Sequence, residues 1–182
     1  MSQFEKALAL TPDSASLHTS FGMALLEHGR PDDAIPHFEK ALSLAPADPR
    51  PRYDLGSTLR SQRKAAEALT QWRQALEAQP DLVQALDRAA WVMATSREAS
   101  VRNGAKAVEL AERAVEVSGG QQPRILATLA ASYAEAGGFP KAVETAHRVL
   151  DLAARQNQQA LAGGLHAMLT RYEAGAPFRD VR

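Results

Sequence analysis

Apolar residues recur along this chain at two spacings, a short one that marks helices and a long one that marks repeated units. Between Pro12 and Pro46, Leu17, Phe21, Ala24 and Leu25 form one stripe and Ala34, Phe38, Ala41 and Leu42 a second, each at the spacing of an amphipathic helix. The polar turn His28-Gly29-Arg30-Pro31-Asp32 separates them, with Gly where the first helix must end and Pro-Asp where the second starts. This predicts a helical hairpin. The longer interval is 34 residues: it links Phe4, Phe38 and Trp72, then Ala7, Ala41 and Ala75, then Leu8, Leu42 and Leu76, then Pro12, Pro46 and Pro80. Phe21 with Leu55, Gly22 with Gly56, Leu25 with Leu59 and Ala34 with Ala68 carry the same register into the first half of each unit. A period of this size marks a stack of equal units, each leaving an apolar face bare until a neighbour covers it.

Gly22 and Gly56 stand in the middle of predicted helices, where Gly costs about 1 kcal/mol relative to Ala. Repeating that cost in register predicts a close contact at which the paired helix leaves no room for a Cβ. Ala34 and Ala68 then supply the small side chain opposite, Phe38 and Trp72 fill the space toward the next hairpin, and Pro46 and Pro80 stop the second helix. After Pro80 the register slips: Leu55, Gly56, Leu59, Ala68 and Ala75 find their counterparts 74 residues on, in Leu129, Ala130, Tyr133, Ala142 and Val149. The extra residues fall mainly at 96–103, a polar run that predicts a long elbow in the third hairpin. Its second helix keeps Ala107 and Ala114, but Ala111 stands at the aromatic position and Gly119-Gly120 replaces the closing proline. The fourth hairpin carries Ala146 at its aromatic position. Smaller side chains predict closer packing or altered twist in this half.

The series Phe21, Gly22, Leu25, Ala34, Phe38, Ala41 and Pro46, repeated as Leu55, Gly56, Leu59, Ala68, Trp72, Ala75 and Pro80, resembles the tetratricopeptide repeat of bacterial-type arrays. The resemblance extends to about residue 154 and implies an all-α, right-handed α-solenoid. As a single domain over 1–182, it comprises a half repeat at 1–14, repeats at 15–48, 49–82, 83–122 with the elbow, and 123–156, and a capping helix within 157–182. The cap takes Leu161, Leu165, Met168, Leu169 and Tyr172 as its stripe, followed by Gly175, Pro177 and Phe178 over the last bare face, and Gly163-Gly164 reads as a close helix contact. Half a hairpin at the start is the pattern of an array with further repeats upstream of Met1, whereas the cap reads as a genuine C-terminus.

Charge and composition narrow the function. Lys and Arg balance Asp and Glu at 21 each, with an acidic excess over residues 1–48 and only a weak basic one beyond it, so the concentrated basic face of a nucleic-acid binder is not expected. The absence of cysteine excludes disulfides and thiolate metal sites. Residues 1–10 are neither a signal peptide nor a membrane span, which predicts a soluble segment with no membrane contact, the cytoplasm being favoured. His18, His28, His37, His147 and His166 show no metal-ligand spacing, and no glycine pair follows a strand or forms a phosphate loop. No metal, cofactor or catalytic residue is expected, and the chain does not read as an enzyme.

The resemblance implies that ligand peptides lie against the first helix of each hairpin. Taking the positions off the core series there predicts a groove of Arg50, Tyr53, Ser57, Arg60, Asp87, Trp91 and Arg124, whose arginines favour an acidic ligand. Two placements are open for the aromatics: as anchors for a bound segment, or packed away, Trp91 under the elbow and Tyr53 against a neighbouring helix. Some relatives grip the carboxylate tails of chaperones with lysines and asparagines. The matching places here hold Thr19, Met23, Asp54 and Gln84, with only Arg88 of the expected type, so that ligand is not expected. The reading is a non-catalytic protein-interaction scaffold for a protein or peptide segment. Its alternatives are self-assembly as a homo-oligomer through the exposed half hairpin, or the repeat tail of a larger enzyme.

Overall fold

The computed structural model describes residues 2–180, apart from the side chains of Ser2, Gln159 and Leu161. Leu161 of the expected capping stripe therefore lies outside the described side chains. Among the described residues the chain forms ten α-helices and one 3-10 turn and no strand, in two compact units, Met1–Pro80 and Asp81–Arg182. None of these helices is long and apolar enough to cross a membrane.

The first unit holds α1 (Ser2–Leu10), a hairpin of α2 (Ala15–Glu27) and α3 (Pro31–Leu44), and a hairpin of α4 (Pro49–Ser61) and α5 (Ala65–Ala78). Local chemistry sets the boundaries. The Ser14 hydroxyl accepts from the Leu17 amide at 3.3 Å and the Asp48 carboxylate from the Arg50 amide at 2.9 Å, satisfying donors that a helix N-terminus leaves free. Within each hairpin the turn needs one left-handed residue, with the amide two positions beyond the helix end bonding back to close it. Gly29 takes that conformation at φ 69°, and Arg63, one repeat later, takes it at φ 65° despite carrying a Cβ.

Phe38, Ala34, Ala41, Trp72, Ala68 and Ala75 are fully buried. The glycines explain how rings of that size fit. A Cβ on Gly22 would lie 2.6 Å from the Phe38 ring, and one on Gly56 would lie 2.6 Å from Trp72 Nε1. Each aromatic side chain lies over the glycine of its own hairpin. Trp72 is held there by donating its Nε1–H to the Tyr53 carbonyl at 3.2 Å. At the start of the unit Phe4 of α1 stacks on Phe21, with ring centroids 5.3 Å apart.

The second unit holds α6 (Val83–Thr95), a 3-10 turn (Ala99–Val101), α7 (Gly104–Val117), α8 (Pro123–Glu135), α9 (Phe139–Arg155) and α10 (Gln159–Glu173). The elbow between α6 and α7 is tied down: Val101 is buried, the Asn103 amide donates to the Met93 carbonyl at 3.1 Å, and Arg102 pairs with Glu135 at 3.0 Å. Asn103 then caps α7 by accepting from the Lys106 amide. A Cβ on Gly104 would meet the Ala136 backbone at 2.7 Å, so glycine is what lets the start of α7 approach the end of α8. The core between these helices is built largely of alanine, with Ala90, Ala107, Ala111, Ala130, Ala142 and Ala146 all fully buried. Against it α10 packs Leu165, Met168, Leu169 and Tyr172. Gly163 and Gly164 are not a close contact: a Cβ at either would meet nothing within 4 Å.

Candidate functional site

Four of the seven expected groove residues share one face of α4, since Arg50, Tyr53, Ser57 and Arg60 recur at helical spacing opposite buried Leu55 and Leu59. Arg50 is exposed and the other three are half-buried. Arg50 reaches across to α2, placing Nη2 3.5 Å from Met23 Sδ, while its Nε lies 4.0 Å from Asp54 Oδ2. Ser57 spends its proton on the Tyr53 carbonyl at 2.9 Å, which leaves the hydroxyl oxygen as an acceptor. The face also holds a group that the sequence reading passed over as a candidate. Asp54 is only 14% accessible, and its Oδ2 has no hydrogen-bond partner. Burial pushes its pKa from 3.8 up to about 6, with Arg50 pulling the other way.

The remaining three lie on α6 and α8 in the second unit. Asp87 is 4% exposed, but both of its oxygens are used: Oδ2 accepts from Arg124 Nη2 and Oδ1 from Thr128 Oγ1, each at 2.6 Å. Asp87 and Arg124 are thus a cross-helix pair between neighbouring first helices, with the guanidinium still reaching solvent at 56% side-chain exposure. Trp91 is half-buried, and it packs against residues beyond α10. Its Nε1–H donates to Asp180 Oδ2 at 3.0 Å, and its ring centroid is 6.1 Å from that of Phe178. Arg179 places Nη1 2.6 Å from Glu135 Oε2 at the end of α8, where Arg102 holds the other carboxylate oxygen. Glu135, Arg179 and Asp180 were not singled out by sequence reasoning. The signal available for them was an aromatic and two charged residues following the Gly175 and Pro177 stop.

Among the described residues, no group of three or more His, Asp or Glu side chains is placed to hold a metal ion. The one close histidine contact joins His18 to His37, Nδ1 to Nδ1 at 3.0 Å, with the second His18 nitrogen on the Pro12 carbonyl. Burial, then the neighbouring His18, hold the His37 pKa below its ordinary value, with Asp33 pulling the other way.

The tetratricopeptide repeat family matches residues 25–90. No curated protein matches the chain. Among solved structures, YrrB, described as a TPR protein with an unusual peptide-binding site, is similar at 19% identity and a TM-score of 0.72 over 90% of this chain and 82% of that one. MamA from Desulfovibrio magneticus RS-1 is similar at 18% identity and a TM-score of 0.67, over 88% of this chain and 95% of that one. PilF of Pseudomonas aeruginosa is similar at 20% identity and a TM-score of 0.67, over 95% and 82%. At these identities the likeness is one of fold.

Proposed function

We propose that this chain, which matches the tetratricopeptide repeat family over residues 25–90 and is similar in fold to solved structures of such proteins, binds an extended protein segment on the first-helix faces and catalyses nothing. The observation that supports this best is the α4 face. A half-buried tyrosine, an exposed arginine and a second, half-buried arginine lie in one line there, on helices whose opposite sides are committed to the core. Aromatic and arginine side chains in that setting supply contact area and directional charge with little further ordering to be lost on binding. On the α4 face, Arg50 and Arg60 favour acidic residues in the ligand. YrrB, whose fold is similar, is described as having a peptide-binding site, which is consistent with a role of this kind. To test it, the partner is captured with this chain as bait, identified by mass, and titrated against Tyr53→Ala and Arg60→Glu. A loss of about tenfold or more is expected for each, the size of a modest anchor. Unchanged affinity in both removes the α4 face from the proposal.

A second reading, self-association, draws on α1. Ala7 is the repeat counterpart of Ala41 and Ala75, which are fully buried, yet Ala7 itself is half-exposed and Leu10 is 84% exposed. A second copy covering that apolar strip would make the protein's sedimentation coefficient rise with concentration; a constant monomer value removes this reading.

A further inference from the structure

The segment after α10 packs on the ends of α6 and α8, and the interpretation of its contacts rests on the reading of first-helix faces as binding surfaces. At the end of α10, Gly175 takes φ 68° and the Ala176 amide bonds back to the Arg171 carbonyl at 2.8 Å, which turns the chain sharply. Residues 176–180 then have no regular structure and reach the ends of α8 and α6.

Each of the last three described residues finds a complementary group there. Phe178 packs against the Trp91 ring. Arg179 pairs with Glu135 at 2.6 Å and donates to the Ala94 carbonyl at 3.3 Å. Asp180 accepts from Trp91 Nε1 at 3.0 Å through its side chain and donates its amide to the Thr95 carbonyl at 2.9 Å. The helix end explains why this place attracts a peptide. An α-helix leaves its last four carbonyls without intrahelical partners, and they carry the negative end of its dipole. In α6 those of Val92 and Met93 are taken by the Ser96 and Asn103 amides of the elbow, whereas those of Ala94 and Thr95 are taken by the 176–180 segment. Without that segment, two carbonyls, one carboxylate oxygen of Glu135, the indole N–H and the Trp91 ring would lie together with no partner from within their own helices. That set fits an aromatic residue, then a cation, then an acceptor with a backbone amide, all in an extended chain.

We propose that the α6–α8 face of the second unit is a binding surface for an extended peptide of aromatic–arginine–aspartate type, occupied in cis by residues 176–180 and opened when a partner segment of the same chemistry displaces them. A tethered ligand competes at an effective concentration on the order of millimolar, so the covered surface answers only to a partner that binds well below that level.

The test uses the whole chain and, as probe, a fluorescein-labelled peptide of the sequence Gly-Ala-Pro-Phe-Arg-Asp, matching residues 175–180. Its binding is followed by anisotropy. In Phe178→Ser/Asp180→Lys the cis segment loses two of its three anchors, keeping only Arg179, while Trp91 and Glu135 remain, and the probe is expected to bind about tenfold tighter than to the unaltered chain. Adding Trp91→Phe, which deletes the indole donor, or Glu135→Gln, which deletes the charge, should each remove most of that gain. If circular dichroism shows the double variant unfolded, Arg179→Ala serves instead, with a gain of about threefold expected. Equal probe affinity with and without the cis anchors overturns the proposal, as does a gain indifferent to both Trp91→Phe and Glu135→Gln. These outcomes separate from those of the α4 test: a probe that binds while Tyr53→Ala and Arg60→Glu leave partner affinity unchanged keeps this surface and discards the other.

Discussion

The two units meet the same packing problem with opposite choices of side-chain size. In the first, each hairpin sets a glycine against a ring, Gly22 under Phe38 and Gly56 under Trp72. In the second, the corresponding positions are filled by two alanines, Ala90 with Ala111 and Ala130 with Ala146, all fully buried in one core. Interiors tolerate changes that conserve volume much better than changes that do not, and a large–none pair and a small–small pair are two ways to fill a crossing of two helices. The repeat therefore specifies a geometry, and the residues that satisfy it are chosen jointly. The units differ in the same manner over a buried carboxylate on their first-helix faces. Asp87 is paired with Arg124 and Thr128, whereas Asp54 keeps an oxygen without a hydrogen bond.

Breaking the glycine–ring pair should have the largest effect. Trp72→Ala removes a fully buried indole and is expected to cost about 3–5 kcal/mol in urea unfolding. Gly56→Ala alone, with its Cβ driven toward the indole, should also destabilise, by about 1–3 kcal/mol. Added to Trp72→Ala, it should instead recover part of the loss, because the pair then matches that of the second unit. Strict additivity of the two changes would refute the joint choice. Next comes the carboxylate comparison. Asp87→Ala removes the buried carboxylate that Arg124 and Thr128 share and should cost about 2–3 kcal/mol, as hydrogen bonds to a charged group do. The converse of the first prediction, Ala146→Phe, overpacks the second unit by about 1–3 kcal/mol, and Ala130→Gly should relieve it in part.

Asp54→Asn goes the other way. The folded state holds the Asp54 proton up to about pH 6, above the 3.8 of the unfolded chain, so ionising this group costs stability. Its contribution is complete below pH 3.8 and lost as pH rises through about 6. The asparagine variant should thus be more stable than the parent by about 1–2 kcal/mol near pH 7, an amount reduced by residual solvent contact, with the difference vanishing in acid. A constant difference across that range would refute the assignment. The smallest effect belongs to α10, where Gly163→Ala and Gly164→Ala meet open space and should each add about 0.5–1 kcal/mol, read as a higher melting temperature.

Much of the fold was legible before any coordinates. The hairpins, the turn at Gly29, the elbow after α6 and the loss of aromatics at Ala111 and Ala146 all follow from apolar spacing and register. The glycines flagged a close approach of the paired helix at Gly22 and Gly56, and the structure adds that the aromatic side chain of that helix is what excludes a Cβ most closely, because spacing shows that a Cβ is excluded without showing by which group. The same ambiguity misled at Gly163-Gly164, where glycine marks no contact at all. The α4 face was readable as a row on one helix.

Periodic features could be read because each is written several times over short distances, so that helical spacing and the repeat interval reinforce one another. The pairing of Asp87 with Arg124 spans 37 residues and that of Trp91 with Asp180 spans 89, and each occurs once. No recurrence announces such contacts. They exist only because helix packing carries the ends of α6 and α8 to the place where the chain turns back after α10, and whether a charged side chain there is solvated, paired or stranded is settled by that arrival.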